Sequence, residues 1–128
     1  KSHLEEIDDI ICRIIKKEHL TIIKDGKEFD IYFNQIAYIE YSLRDTTIYL
    51  NNNSKIKLSE KSLSLLSKEL DDRFYQINRN IIINLDMEPI YNKGTVKINH
   101  NEFQVSRRNQ KDLKIKILER SIYNARNI

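Results

Sequence analysis

The stretch that decides the fold is "LTIIKDGKEFDIYF", residues 20–33. Two runs rich in β-branched and aromatic residues flank Asp25-Gly26, a dipeptide that suits turns requiring positive φ. The stretch therefore predicts a β-hairpin. Residues 3–18 just before it place Leu and Ile at helical spacing, with acids in the first turns and basic residues in the last, and predict an amphipathic helix. The pattern changes near residue 18–19, which divides the chain into a helical segment, 1–18, and a domain, 19–128.

Strand patterns continue beyond the hairpin. We predict strands over 36–42, a second hairpin over 46–58 around "NNNS", short strands over 74–77 and 81–85, and then "EPIYN", "TVKIN" and "EFQVS", the last two joined through His100-Asn101. A short helix is predicted over 59–70, with Ser59 as its cap and Leu63, Leu66 and Leu70 as its apolar stripe. A final helix is predicted over 109–123, with the apolar side Leu113, Ile117, Leu118 and Ile122. The chain is therefore mainly β.

Composition argues against several functional classes. With two glycines, the chain lacks phosphate-binding glycine loops, and its single cysteine, Cys12, excludes an internal disulfide and suits a reducing cytosol. No apolar run approaches the roughly 18 residues of a membrane span. The three histidines are scattered, with His19 expected at a helix end and His100 in a turn, so no metal site is predicted. Because the adjacent carboxylates fall at expected helix ends, an enzyme is the minority hypothesis and no cofactor is predicted.

Basic residues concentrate in the second half of the chain. Residues 1–72 carry 11 Lys+Arg against 14 Asp+Glu, whereas residues 73–128 carry 11 against 5. Two polar clusters, Asn78-Arg79-Asn80 and Ser106-Arg107-Arg108-Asn109, interrupt apolar stretches where strands end. Arginine matches guanine and asparagine matches adenine in the major groove, while serine and lysine can hold phosphates. These clusters are therefore candidate DNA contacts, and the loop "SLRDT" (42–46) is a third.

Each cluster also has a structural interpretation. Arg79 could pair with Asp71 or Asp72, and Arg44 with Asp45. Asn80 and Ser106 could serve only as turn caps. The sequence leaves these alternatives open.

At this point the chain resembles a known family. The segments "LSLLSKELDDRFYQINRNIIINLDMEPI" (63–90) and "VKINHNEFQVSRRN" (96–109) are similar to the LytTR DNA-binding domain of bacterial response regulators of the LytR/AlgR/AgrA type. Upstream, "IYFNQIAYIEYSLRDTTIYL" (31–50) resembles the opening strands of that family, and the similarity covers about residues 20–118. The chain departs from the family pattern at Asn78, where His is frequent, at Asn80, where Ser is usual, and at His100-Asn101, where Asn-Gly is common.

The resemblance implies antiparallel β-sheets with short helices, and loops rather than a recognition helix in the DNA grooves. It implies a cytoplasmic output domain of a two-component response regulator that binds promoter direct repeats in double-stranded DNA, as a dimer or as tandem copies, and regulates transcription. Arg79 and Arg108 are the predicted base or groove contacts, with Asn78, Asn80, Ser106, Arg107 and Arg44 beside them and Lys111 and Lys114 on phosphates. Residues 1–18 resemble the end of a receiver domain, or form a linker helix or dimer contact. The alternative is a β-rich protein-interaction module with a basic face.

Overall fold

The computed structural model describes residues 18–59 and 62–126, and within them it contains ten strands and two α-helices. The strands are β1 (His19–Lys24), β2 (Lys27–Tyr32), β3 (Ile36–Ser42), β4 (Asp45–Leu50), β5 (Lys55–Ser59), β6 (Phe74–Asn78), β7 (Ile81–Asn84), β8 (Ile90–Asn92), β9 (Thr95–Ile98) and β10 (Asn101–Gln104). The helices are α1 (Leu63–Ser67) and α2 (Arg107–Arg126), and 3₁₀ turns lie at Phe33–Gln35 and Leu85–Met87. The helix predicted over residues 3–18 lies outside the described residues except for Glu18.

The strands form three antiparallel sheets. A two-stranded sheet pairs β1 with β2, a five-stranded sheet has the order β5-β4-β3-β7-β6, and a three-stranded sheet has the order β10-β9-β8. The turn between β1 and β2 is Asp25-Gly26, with φ of 53° and 75°. The first hairpin and the mainly β, antiparallel class predicted from sequence are thus confirmed. In the part of the chain that the structure describes, neither helix has the length and apolar character needed to cross a membrane.

The five-stranded sheet separates two hydrophobic cores. The first core packs the β1–β2 hairpin and α1 against the sheet, and the second packs β9 and α2 against it. β7 lies between them, so Ile82 belongs to the first core while Ile81 and Ile83 belong to the second. Alternating side chains point to opposite faces of a strand, which explains why three consecutive residues of this strand are isoleucine. Each such isoleucine contributes roughly 1.5–3 kcal/mol by leaving water.

The start of α1 differs from the prediction. Strand β5 extends through Ser59, which pairs with Asp45 of β4, and the helix begins only at Leu63. Ser62 is the N-cap instead, and its hydroxyl accepts a hydrogen bond from the Leu65 amide at 3.3 Å. The predicted apolar side chains Leu63 and Leu66 are buried. The helix nevertheless ends at Ser67, three residues before the predicted end at Leu70.

The apolar side predicted for the last helix is wrong in part. Helix α2 begins at Arg107 and ends at Arg126, and only Leu113 of the predicted stripe is fully buried. Leu118 is 62% exposed and Ile122 is 45% exposed. The physical reason is that the inner face of α2 continues with Arg120 and Asn124. Polar contacts therefore replace part of the expected apolar stripe.

Two local predictions also change. His19 is the first residue of β1 and not a helix end, and its ring lies 5.6 Å from that of Tyr32 across the hairpin. The β9–β10 turn is formed by Asn99 and His100, with Asn99 at φ 55°, while Asn101 is already paired in β10. His100 is therefore a turn residue as predicted. The turn thus uses Asn99 and His100 in place of the predicted pair His100-Asn101, because the ladder extends to Asn101. The left-handed residue is again an asparagine, which tolerates this backbone.

Candidate nucleic-acid interface

Strand pairing brings three connections to one end of the five-stranded sheet. The β3–β4 turn and the β6–β7 turn are adjacent, since the Tyr41 amide donates to the Asn80 carbonyl at 2.8 Å. The junction between β10 and α2 lies beside β6, because the Ser106 amide donates to the Ile77 carbonyl at 2.9 Å. All three stretches singled out in the sequence thus lie at this end, which we call the basic end. It comprises residues 43–44, 79–80 and 105–108.

The β3–β4 connection is a tight turn and not the longer loop predicted over 42–46. Ser42 pairs with Asp45, and the two residues between them, Leu43 and Arg44, have φ of 52° and 69°. Left-handed backbone at both positions is characteristic of a two-residue hairpin turn. Leu43 is 93% exposed, and Asp45 forms its ion pair with Lys57 at 3.1 Å rather than with Arg44. The turn therefore projects Arg44 into solvent.

Arg79 occupies the tip of the β6–β7 turn and is exposed. The structural alternative was a pair with Asp71 or Asp72, but Asp71 is bound by Arg73 at 3.0 Å. Within residues 18–59 and 62–126, Arg79 and Arg108 form no ion pair. Both arginines line a single depression of about 360 Å³. Two arginines far apart in sequence are thus brought to one site with their guanidinium groups unpaired.

The asparagine that precedes Arg79 is engaged in the fold. The Asn78 amide nitrogen donates to the Gln104 carbonyl at 2.7 Å, and its Oδ1 accepts from the Asn80 amide at 2.8 Å. Both polar atoms of this carboxamide therefore have partners. The side chain of Asn80 is exposed at the turn. The Asn80 side chain is therefore accessible to a ligand, whereas both polar atoms of Asn78 are already hydrogen-bonded within the fold.

The first turns of α2 carry the remaining predicted contacts. Arg107, Arg108, Lys111 and Lys114 are all exposed. Ser106 precedes them, and its backbone carbonyl accepts from the Asn109 amide at 2.8 Å. The Lys114 ammonium lies 5.4 Å from the centre of the Tyr91 ring. The N-terminus of a helix also carries a partial positive charge, which favours anions. This part of the surface therefore suits phosphate groups.

Asn109 belongs to the second polar cluster of the sequence but was not among the individually predicted DNA contacts. Its Nδ2 donates to the Ile77 carbonyl at 3.2 Å and approaches the Gln76 carbonyl at 3.4 Å. Asn109 is thereby a link between the start of α2 and β6. The signal in the sequence was its place in this polar cluster, directly after two arginines.

Two contacts fix α2 farther along its length. Arg120 binds Asp86 through two hydrogen bonds, of 2.7 and 3.1 Å, and Asn124 adds a third of 2.8 Å. Burial raises the pKa of the Asp86 carboxyl, but the hydrogen bonds from Arg120 and Asn124 outweigh it and hold that pKa below its usual value. Nearer the basic end, the Tyr75 hydroxyl donates to Asp112 at 3.0 Å, and burial together with this bond raises the pKa of Tyr75 to about 12. The helix that carries Arg108 is therefore held at both ends.

Potential metal ligands do not cluster in the part of the chain that the structure describes. No group of three or more His, Cys, Asp or Glu side chains there is arranged to hold an ion.

Basic residues clustered on adjacent connections form the electrostatic pattern by which proteins attract the phosphates of nucleic acids. The family comparison agrees, because the model of the LytTr DNA-binding domain matches residues 26–118. The chain belongs to the LytTR family of DNA-binding domains.

A solved structure shows the same fold. It is the LytTr DNA-binding domain of a putative methyl-accepting/DNA response regulator from Bacillus cereus. The two chains are 16% identical with a TM-score of 0.62, and the similarity covers 78% of this chain and 96% of the other. The search of curated proteins gives no match. Family membership therefore rests on the family model, and the fold on both comparisons.

Proposed function

We propose that this chain is the cytoplasmic output domain of a two-component response regulator and regulates transcription. In this proposal it binds direct repeats in promoter DNA, as a dimer or as tandem copies, and a receiver domain precedes it. Membership of the LytTR family supports a DNA-binding role. The observation that carries the proposal is the convergence of unpaired Arg79 and Arg108 on one depression at the basic end. Two guanidinium groups at a fixed site suit two neighbouring positions on a duplex.

The basic end and the adjoining flank of α2 make two kinds of contact with DNA in this proposal. Arg79 and Arg108 are the base or groove contacts, since a guanidinium fork distinguishes a guanine edge by about 1–3 kcal/mol. Asn80, Ser106, Arg107 and Arg44 contribute around them. Lys111 and Lys114, on the flank of α2, hold phosphates, because an ammonium acts as a point charge and carries no sequence information.

The test begins with selection of bound sequences from a random duplex pool. Affinities for the selected duplex and for a random duplex are then compared. Arg79→Ala or Arg108→Ala should weaken the selected duplex by about 10- to 100-fold and leave the random duplex nearly unchanged. Lys111→Ala or Lys114→Ala should weaken both duplexes equally and reduce the salt slope by about one unit.

A matched control is available on the same helix. Arg126 is the last residue of α2, roughly 27 Å along the helix from Arg108 at about 1.5 Å per residue. Arg126→Ala removes the same charge away from the basic end and should leave both affinities unchanged. Equal weakening of both duplexes by the two arginine variants would show that Arg79 and Arg108 hold phosphates. If the pool yields no enriched duplex and an acidic polypeptide binds instead, the protein-interaction alternative replaces this proposal.

A further inference from the structure

Arg79 and Arg108 are carried by different structural units. Arg79 follows β6, an edge strand of the five-stranded sheet, whereas Arg108 follows β10, an edge strand of the three-stranded sheet. Backbone pairing within either sheet does not connect them. Their relative position therefore depends on the contacts between the end of β6 and the β10–α2 junction.

Two asparagine side chains supply most of these contacts. Asn78 precedes Arg79 and donates across the gap to the Gln104 carbonyl, the last residue of β10, at 2.7 Å. Asn109 follows Arg108 and donates in the opposite direction to the Ile77 carbonyl of β6 at 3.2 Å. Each asparagine is the immediate neighbour of one arginine and binds the backbone of the segment that carries the other. The arrangement is reciprocal.

Backbone bonds complete the connection. The Ile77 carbonyl also accepts the Ser106 amide at 2.9 Å, so both lone pairs of this oxygen are used by the β10–α2 junction. Asn78 Oδ1 accepts the Asn80 amide at 2.8 Å, which fixes the turn around Arg79. Alanine at position 78 would remove the side-chain donor to the Gln104 carbonyl, and alanine at position 109 would leave the Ile77 carbonyl with the Ser106 amide alone. Either change would leave the two segments less constrained.

We propose that Asn78 and Asn109 are positioning residues that set the separation and orientation of Arg79 and Arg108. The two guanidinium groups then meet base edges at one fixed spacing along the duplex, and the asparagine pair determines which spacing is accepted. Asn78 thereby acts through the fold and not through a base edge. This inference rests on the function proposed above, because it assigns Arg79 and Arg108 to the recognition of bases.

The test compares Asn78→Ala and Asn109→Ala with a matched control, Asn51→Ala. Asn51 also donates one side-chain hydrogen bond to a backbone carbonyl, that of Asn34 at 2.8 Å. It lies at the opposite end of the five-stranded sheet, since Leu50 pairs with Ile36 at the start of β3. All three variants lose side-chain hydrogen bonding to a backbone carbonyl. Asn78→Ala and Asn109→Ala lose it beside Arg79 and Arg108, whereas Asn51→Ala loses it far from them.

The decisive readout is the ratio of affinities for the selected and the random duplex. Asn78→Ala and Asn109→Ala should lower this ratio by about 10-fold, with random binding and salt slope unchanged, because the positive charges remain. Asn51→Ala should leave the ratio as in the wild type. Arg79→Ala and Arg108→Ala should each lower the affinity for the selected duplex, and in the wild-type background the double variant should differ from the sum of the two free-energy losses. In the Asn109→Ala background the two losses should simply add.

A measurement without DNA follows the connection itself. Hydrogen exchange at the Ser106 amide should quicken in Asn109→Ala and stay unchanged in Asn51→Ala. If exchange is faster in Asn109→Ala but the affinity ratio is unchanged, the positioning role is wrong while the proposed function stands. An equal loss of ratio in Asn51→Ala would also overturn it, since general destabilisation would then be the cause. A folded wild-type chain with no sequence preference would overturn the proposed function together with this inference.

Discussion

Asn84 is the buried polar side chain whose removal should cost the fold most. It is 1% exposed at the end of β7 and makes three hydrogen bonds to backbone. Its Nδ2 donates to the carbonyls of Phe33 and Ile36, at 3.2 and 2.8 Å, and its Oδ1 accepts from the Asp86 amide at 2.8 Å. The side chain thus joins the 3₁₀ turn before β3 to the 3₁₀ turn after β7. We predict that Asn84→Leu is severely destabilising.

The magnitude follows from the groups left without partners. Leucine has the same branching and number of side-chain heavy atoms as asparagine but no polar atom, so three backbone groups each lose one hydrogen bond in a buried site. The Phe33 carbonyl keeps the bond from the Ile36 amide, whereas the Asn84 bonds to the Ile36 carbonyl and the Asp86 amide have no replacement in the leucine side chain. A buried donor or acceptor without a partner costs about 1–3 kcal/mol. Allowing for relaxation and for the gain from the added apolar surface, we expect a loss of about 3–5 kcal/mol. For a domain stable by roughly 5–15 kcal/mol, this is a large fraction of the total.

Urea unfolding followed by circular dichroism measures this loss. The midpoint should fall while the slope of free energy against urea stays constant, because the same surface is exposed on unfolding. Asn51→Ala is the control, since its hydrogen bond is exposed and its loss should cost no more than about 1 kcal/mol. A loss below about 1 kcal/mol for Asn84→Leu would refute the argument, because it would mean that the three backbone groups find other partners.

Three further predictions concern charge and backbone. The Asp86 pKa is lowered in the folded state, so its pairing with Arg120 stabilises the fold above the ordinary carboxyl pKa, and this contribution is lost as the pH falls through the lowered value. Asp86→Asn should therefore lower the melting temperature at pH 7, and the difference from wild type should shrink in acid; a constant difference would contradict this. Leu43→Asn should raise stability by about 1 kcal/mol in urea unfolding, because leucine is disfavoured at φ 52° and asparagine tolerates it; an unchanged midpoint would show that the turn carries no strain. DNA affinity should fall with salt at a log–log slope of roughly −4 to −5 if about four to six phosphates are neutralised, and a flat response would argue against a DNA partner.

The sequence by itself determined the strands and their class. The first hairpin follows from Asp25-Gly26 between two strand patterns, because turn chemistry and side-chain alternation act between near neighbours. The central strand β7 was visible as an apolar run for the same reason. The residues that resemble the LytTR domain also indicated the family, which the family model over residues 26–118 confirms. The clusters around Arg79 and Arg108 were visible as polar interruptions between apolar segments.

Only the tertiary structure decided which partners these segments have. The cap of α1 moved to Ser62 because pairing with β4 extends β5 through Ser59. Leu118 lies exposed on the outer face of α2, because the inner face of the helix is the one whose Arg120 binds Asp86.

The roles of Asn78 and Asn109 likewise depend on the tertiary fold, since their carbonyl partners are 26 and 32 residues away along the chain. Local patterns encode the period of a strand or helix. They do not encode which strand ends meet, and that arrangement brings the two arginines together.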